Sequence, residues 1–134
     1  MKLGIDIHGV ADEVPEFFAE LSKILVAAGH EVHVITGPPD GPRLRDELKA
    51  LGITYTHLFS IVDYHKSIGT EMYEVKGNMY CAEYLWDKTK ADYCMREKID
   101  LHFDDSDAYL YFFKTPYARY YSKNKRKYFK KDGK

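Results

Sequence analysis

Several residues that can bind metal or phosphate stand where apolar runs of the sequence end. Asp6 and His8 close the first run, Thr36 closes another, and Asp104 and Asp105 follow the last. Carboxylates beside the backbone amides of glycine-containing turns suit a hard cation with a phosphate ligand. These side chains can act together only if the fold brings the ends of those runs to one place.

The elements that must position these residues alternate between strand and helix patterns. Strands are predicted at 2–7, 32–35, 53–62 and 99–103, and helices at 12–28, 43–51, about 79–97 and 107–113. Such alternation favours βαβ units and therefore an α/β fold with a mainly parallel sheet. Because ligands bind beyond the carboxyl ends of the strands in such sheets, we expect the candidate residues to meet at that edge.

The 134 residues fit one domain. We assign 1–113 to a core and 114–134 to a basic, tyrosine-rich tail. The stretch 63–77 is the hardest to interpret and could carry a small flap with a hairpin around 72–75. Two cysteines without ligand spacing indicate reduced thiols, and no signal-peptide or membrane-length run is evident. The sequence therefore predicts a cytoplasmic protein without a membrane partner.

Four stretches resemble, in order, the motifs of the haloacid dehalogenase (HAD) superfamily. They are Asp6-Ile7-His8-Gly9-Val10, Val34-Ile35-Thr36-Gly37, Lys90-Ala91-Asp92 and the double-aspartate run from Ile99 to Ser106. The layout is similar to the deoxyribonucleotidase-like branch of that superfamily. The resemblance implies a three-layer α/β/α Rossmann-like core, and the short spacings between motifs leave no room for a large cap domain.

The resemblance also implies catalytic roles. Asp6 would be the nucleophile that forms an aspartyl-phosphate, which divides one difficult displacement into two easier ones. Thr36 and the amide of Gly37 would hold the phosphoryl oxygens, and amides around Gly9 would complete the phosphate-binding loop. Lys90 would neutralise the charge of Asp6 and the phosphate. Other lysines are rivals for that role, although the fourteen-residue spacing to Asp104 favours Lys90; the rivals are Lys66, Lys76 and Lys88.

The cofactor that the resemblance implies is Mg²⁺. Its ligands would be the carboxylate of Asp6, the backbone carbonyl of His8 and the carboxylate of Asp105. Asp104 would lie close by or act through water. Asp105 is preferred to Asp104 because it aligns with the aspartate of the commoner Gly-Asp form of the motif.

His8 departs from the family pattern. Phosphatases of the superfamily carry a second aspartate there, which protonates the leaving oxygen and then activates water. Histidine can perform both steps because it exchanges protons near neutral pH. The substitution is therefore compatible with a working replacement, with a slow enzyme, with a protein that only binds phosphate, or with different chemistry.

The expected substrate is a phosphomonoester. Only 29 residues separate Asp6 from Thr36, and only 53 separate Thr36 from Lys90, so any insertion is small. Relatives without caps act on bulky substrates or use a neighbouring subunit as a cover. A nucleotide or a nucleic-acid end is favoured, and a small sugar phosphate enclosed by a homo-oligomer is the alternative.

Two other functions remain open from the sequence. A non-catalytic phosphate- or nucleotide-binding module would keep the cation site and lose turnover at His8. A nucleic-acid-binding protein would use the tail, which has nine basic residues against one acidic residue and interleaved aromatic side chains. The tail could also be a solubilising segment, or an edge strand at 118–122 followed by disorder. Asp6 and Asp105 could, more simply, cap the helices that follow them.

Overall fold

Strands and helices alternate along the chain, as the sequence pattern predicts, in a computed structural model that describes residues 1–121. The strands are β1 (Lys2–Ile5), β2 (Glu31–Thr36), β3 (His57–Ser60), β4 (Tyr73–Val75), β5 (Asn78–Tyr80), β6 (Leu101–Asp104) and β7 (Tyr117–Arg119). The helices are α1 (Pro15–Ala27), α2 (Pro42–Leu51), α3 (Ile61–Ser67), α4 (Glu83–Arg96) and α5 (Asp107–Leu110).

The central sheet has five parallel strands in the order β3-β2-β1-β6-β7. Helices cover both of its faces, which confirms the predicted three-layer α/β/α Rossmann-like fold. On one face, apolar residues of β1 and β2 pack against Phe18 of α1 and against Leu44 and Leu48 of α2. On the other face, Ile35 packs against Tyr93 and Cys94 of α4. The middle strand of the sheet is β1, the strand that leads to Asp6.

The strand predicted at 53–62 is wrong at both ends. Only His57–Ser60 is a strand, and the chain enters α3 at Ile61. The hydroxyl of Ser60 accepts a hydrogen bond from the amide of Asp63 at 3.1 Å, which caps the new helix. Ile61 and Val62 are fully buried within that helix, and a short buried apolar run cannot be assigned to strand or helix by its period alone.

Residues 73–80 form a separate antiparallel hairpin of β4 and β5, close to the hairpin predicted around 72–75. Its two-residue turn has positive φ angles at both Lys76 (50°) and Gly77 (82°). That combination is the one that a tight turn between twisted strands requires. The helix predicted from about Met79 therefore begins later, at Glu83, because Met79 and Tyr80 belong to β5.

The described part of the predicted tail joins the body of the domain. Tyr117–Arg119 is the edge strand β7, so the strand that the sequence allowed near 118–122 is present. The Tyr117 hydroxyl donates to the carbonyl of Ser106 at 2.7 Å, and Arg119 forms an ion pair with Asp107. The remaining tail residues 122–134, which carry most of its basic charge, lie outside the described residues.

No helix within residues 1–121 combines the length and the apolar character needed to cross a membrane. The longest, α4, has 14 residues. Spanning a bilayer takes about 20 apolar residues.

His33, near the amino-terminal end of β2, is buried against α4. Its ring bonds the Tyr93 hydroxyl at 2.6 Å and the Glu31 carboxylate at 2.8 Å, and it stacks on His57 at 4.1 Å. Burial lowers the pKa of His33, the hydrogen bond to Glu31 opposes that effect, and the neighbouring His57 adds to it. The net direction is downward, so the folded protein takes up this proton at lower pH than the unfolded chain does.

We therefore expect acidification to destabilise the protein partly through His33. The contribution of neutral His33 to the free energy of unfolding is complete above the pKa of histidine in the unfolded chain, about 6.5. It is lost as the pH falls towards the lower pKa of the folded protein, with a slope of at most about 1.4 kcal/mol per pH unit. His33→Gln should make the free energy of unfolding less dependent on pH between 7 and 5 in urea titrations. His30→Gln is the control substitution, and an equal effect of both variants would contradict the assignment.

Candidate active site

The first and last motifs lie side by side because β1 pairs with β6 and side chains along a strand alternate between the two faces of the sheet. Gly4 pairs with His102 across β1 and β6, so Asp6 and Asp104, each two residues further on, lie on the same face of the sheet. That face is the one covered by α4. Lys90 of α4 is 1% exposed and is among the largest fully buried side chains of residues 1–121. A lysine is almost never buried to this extent unless it is paired.

The Lys90 ammonium bridges the two carboxylates. Its Nζ lies 3.1 Å from Oδ1 of Asp6 and 2.9 Å from Oδ2 of Asp104. Asp6 is buried and Asp104 is fully buried, so all three charges share a region of low water content. The ring of Tyr109 lies 4.9 Å from Nζ and adds a cation–π contact. Of the lysines that the sequence offered for this role, the structure places Lys90 against Asp6.

Asp104 has both carboxylate oxygens engaged. Oδ2 accepts from Lys90 and, at 2.9 Å, from His102 Nε2, while Oδ1 accepts from the amides of Asp105 at 2.8 Å and Ser106 at 3.3 Å. These contacts fix Asp104 as a group that positions Lys90. They support Asp105, rather than Asp104, as the outer ligand for a cation.

His102 reaches Asp104 only because its neighbour on β1 is a glycine. A Cβ at Gly4 would come within 2.6 Å of Nδ1 of His102, so the His102 ring would have to shift. The His102 ring also stacks on Phe113 with centroids 5.2 Å apart. Burial lowers the pKa of His102, with the hydrogen bond to Asp104 opposing it, so the ring is neutral and donates through Nε2.

The pKa values of Asp6 and Asp104 are shifted in opposite directions. Burial raises the pKa of Asp6, and the Lys90 charge only partly offsets this. For Asp104, burial acts in the same direction, but Lys90 and His102 outweigh it and hold its pKa well below the usual range. Burial would lower the pKa of Lys90, yet the carboxylates of Asp104 and Asp6 keep it above the ordinary value. Asp6 is therefore the group that gains most from a further nearby cation.

The loop after Asp6, Ile7–Ala11, turns sharply over the site. Gly9 has a φ of 87°, and a Cβ there would overlap Oδ2 of Asp105. Only glycine satisfies both conditions, because it has no Cβ and readily adopts positive φ. The amide of Gly9, which the resemblance assigned to phosphate, donates to the Asp12 carboxylate at 2.7 Å.

The second motif lies at the same carboxyl edge of the sheet. Thr36 is the last residue of β2 and is fully buried. Its hydroxyl oxygen has no hydrogen-bond partner among the described residues. Buried polar groups are nearly always satisfied, so an orphaned hydroxyl at a candidate site indicates a missing ligand or water. Gly37 follows it, and its carbonyl accepts from the amide of Val62 at 3.1 Å.

The donor set fits a hard divalent cation. Carboxylate oxygens of Asp6, Asp104 and Asp105 all lie within 4.8 Å of one another. The Lys90 ammonium contacts two of these three carboxyl groups, those of Asp6 and Asp104. Mg²⁺ is held in proteins by one or two carboxylates together with phosphate oxygens and water. The residues present could therefore hold a metal ion, and their carboxylate oxygens are of the ligand type that Mg²⁺ takes.

His8, the residue that departs from the family pattern, is bonded to α2. Its Nε2 lies 2.7 Å from Oε1 of Glu47, and its side chain is 48% exposed. A carboxylate partner fixes the orientation and tautomer of an imidazole. The ring is thus held by a neighbour, yet it is open to water, whereas Asp6 is buried.

A second group that could hold a metal lies at the opposite end of the sheet and consists of Glu31, His33 and His57. The two imidazole rings are parallel within 4° and stacked face to face. A metal ion binds in the plane of an imidazole, so stacked rings cannot both ligate one ion without rotating. Lys2 Nζ is also 3.8 Å from Glu31. We therefore assign no ion to this group.

Comparison of the chain with protein-family models gives no match, and comparison with curated proteins gives none either. The case for a function consequently rests on the geometry of the site. That geometry brings together Asp6, Lys90, Asp104 and Asp105. It places Thr36 at the same edge of the sheet.

Sequence reasoning missed two contacts of the site. His102 is not among the candidate residues of the sequence analysis, although it stands two residues before Asp104 on one strand and so shares its face. The two-residue spacing between His102 and Asp104 on a predicted strand could have identified this contact. Glu47 lies 39 residues from His8, and no local pattern links the two.

Lys90→Met should destabilise the fold strongly because it leaves Asp6 and Asp104 buried without their cation. Removing one partner of a buried ion pair typically costs about 3–5 kcal/mol. Urea unfolding at pH 7.5 would measure this loss. Lys88→Met, on the same helix and partly exposed, is the control and should change stability by less than about 0.5 kcal/mol. Equal losses for both variants would show that Lys90 does not compensate the two carboxylates.

Proposed function

We propose that the protein is a Mg²⁺-dependent phosphohydrolase that acts on a phosphomonoester through Asp6. The observation that carries the proposal is the fully buried Lys90 held between Asp6 and Asp104. Three acidic side chains, those of Asp6, Asp104 and Asp105, cluster around this lysine at the edge of a parallel sheet where ligands bind.

In the first step, an oxygen of the Asp6 carboxylate attacks phosphorus, and the bond from phosphorus to the leaving oxygen breaks. His8, in its protonated form, donates a proton to that oxygen, which departs as an alcohol. Lys90 balances the negative charge of Asp6 and of the phosphoryl oxygens as they approach. The product of this step is an aspartyl-phosphate on Asp6.

In the second step, His8 takes a proton from a water molecule that attacks the phosphorus of the aspartyl-phosphate. The bond between phosphorus and the Asp6 oxygen breaks, and inorganic phosphate leaves. Asp6 returns as a carboxylate and His8 as an imidazolium. Glu47 stabilises that charge through the 2.7 Å contact and keeps the ring oriented during both transfers.

Mg²⁺ would be held by the carboxylates of Asp6 and Asp105 and by the backbone carbonyl of His8. When bound, it supplies positive charge that neutralises the phosphoryl oxygens and lowers the pKa of nearby acidic groups. Thr36 would donate its unpartnered hydroxyl to a phosphoryl oxygen. Asp104 acts through Lys90.

Membership of the HAD superfamily is part of this proposal. The order of the sheet supports it: the nucleophile strand β1 is central, β6 with the double aspartate lies on one side, and β2 with Thr36 lies on the other. Each motif-bearing strand is therefore a direct neighbour of Asp6. Within residues 1–121, the only addition of cap-like size is the hairpin 73–80.

A non-catalytic phosphate-binding module is the second candidate, and His8 is the observation that favours it. Its half-exposed ring is engaged by Glu47 on α2 rather than by a residue of the buried cluster. If this arrangement prevents proton transfer, the cation site would bind phosphate without turnover. The nucleic-acid-binding alternative depends on the tail 114–134, of which residues 122–134 lie outside the described residues.

The decisive variant for the leading proposal is Asp6→Asn. Release of phosphate from a panel of phosphomonoesters should fall by at least about 10³-fold, because the nucleophile is lost. The fold should survive, since Lys90 stays paired with Asp104. Chelation of divalent cations should abolish wild-type turnover as well. Wild-type rates in the folded variant would exclude Asp6 as the nucleophile.

Replacing His8 separates the two candidates. If the imidazole transfers protons, His8→Asn should lower kcat by about 10²- to 10⁴-fold, the usual contribution of a general acid–base group. The matched variant is His8→Asp, which restores the residue found in the family. A silent wild-type protein that gains turnover from His8→Asp would support the binding module instead.

A further inference from the structure

Tyr109 places an aromatic ring over the buried ammonium group of the site. It belongs to α5, which begins two residues after Asp105, and its amide donates to the hydroxyl of Ser106 at 3.4 Å. The Lys90 Nζ lies 4.9 Å from the centroid of the ring. The proposed chemistry gives this ring no role, so its position needs an explanation of its own.

The ring is held in place from α4. The indole Nε1 of Trp86 donates to the Tyr109 hydroxyl at 2.9 Å. Trp86 precedes Lys90 by four residues, so both side chains lie on one face of α4. The indole packs against Gly37, where an added Cβ would lie 2.9 Å from it. The helix that carries the cation therefore also fixes the ring that contacts it.

A neutral ring suits this position better than a further charged side chain. Lys90 is fully buried, and its ammonium already lies 2.9 Å from Asp104 and 3.1 Å from Asp6. Cation–π attraction is strongest where water is removed, as it is here. Another carboxylate against the ammonium would repel an incoming phosphate, whereas the ring attracts the cation without adding negative charge. An aliphatic side chain could fill the same space but would not attract the cation.

We propose that Tyr109 is a positioning residue whose ring holds the Lys90 ammonium beside Asp6 for the attack on phosphorus. The inference rests on the proposed function for the reaction, whereas the contacts of Tyr109 carry the placement of the cation. The ring performs this role rather than the hydroxyl, because the ring faces Nζ and the hydroxyl is engaged by Trp86. Phenylalanine should therefore replace Tyr109 far better than leucine does.

The ammonium signal of Lys90 in nuclear magnetic resonance spectra tests this placement without any reaction. In protein that contains isotope-labelled lysine, the buried ammonium protons should give a slowly exchanging signal, shifted to high field by the ring current of Tyr109. Lys90→Arg, which keeps the charge, identifies the signal by removing it. Tyr109→Phe should retain the high-field shift, and Tyr109→Leu should lose it. The same shift in Tyr109→Leu as in wild type would overturn the proposal.

Turnover tests whether the placement matters for the reaction. With p-nitrophenyl phosphate and Mg²⁺, kcat/KM of Tyr109→Leu should be at least about 5-fold below that of Tyr109→Phe, given the usual strength of a desolvated cation–π contact. Both variants lack the hydrogen bond to Trp86, so a role limited to that bond would lower both values equally and would contradict the proposal. Tyr111→Leu is the matched control because Tyr111 directly follows α5 and is 85% exposed. It should stay within about 2-fold of wild type.

Fluorinated phenylalanines at position 109 keep the shape of the ring, so they give an answer even if Tyr109→Leu does not fold. Fluorine withdraws electron density from the ring face and weakens its attraction for a cation. The value of kcat/KM should fall stepwise from phenylalanine to its mono-, tri- and pentafluorinated forms. Equal values across this series would exclude a cation–π role for the ring.

The outcomes also separate this inference from the proposed function. A Lys90 signal that depends on the ring, in a wild-type protein that releases no phosphate, would retain the placement of Lys90 by Tyr109 and reject the phosphohydrolase. Turnover that is lost in Asp6→Asn but equal in Tyr109→Phe and Tyr109→Leu would retain the phosphohydrolase and reject the role of Tyr109.

Discussion

The ammonium group of Lys90, buried between two carboxylates, is the interaction on which the site depends. A charge taken out of water is costly unless nearby opposite charges and hydrogen bonds replace its hydration. Asp104 and Asp6 provide those charges at 2.9 and 3.1 Å. Asp104 belongs to β6, Asp6 directly follows β1 and Lys90 belongs to α4, so their mutual attraction also holds that helix against the sheet.

Asp104 can serve this purpose because other groups hold it in place. His102 and two backbone amides occupy the acceptor positions that Lys90 leaves. Gly4 makes room for the His102 ring, so a glycine in the middle of a central strand has a packing reason. Such a glycine would otherwise weaken the strand. The buried network thus extends from the carboxyl edge of the sheet to its centre.

The sequence predicted much of the fold and the members of the site, because both depend on short-range patterns. Apolar runs that end in polar residues located β1, β2 and β6, and the parallel topology then brought Asp6 near Asp104. The boundary between β3 and α3 was not predictable from the apolar pattern, since Ile61 and Val62 are buried in either state. The His8–Glu47 contact joins residues 39 positions apart, and only the three-dimensional packing of α2 determines it.

The carboxyl groups of Asp6, Asp104 and Asp105 lie within 4.8 Å of one another beside the buried ammonium group of Lys90. Burial raises the pKa of Asp6, so its carboxylate form is disfavoured there. A cation bound at this cluster would favour the carboxylate of Asp6 and, in the function that we propose, would let a phosphate dianion approach it. In the proposed function, the buried carboxyl groups would therefore bind the cation and, through it, the substrate. Lys90 holds Asp6 and Asp104 together, whereas the hydroxyl of Thr36, which has no hydrogen-bond partner within residues 1–121, would contribute when a ligand is bound.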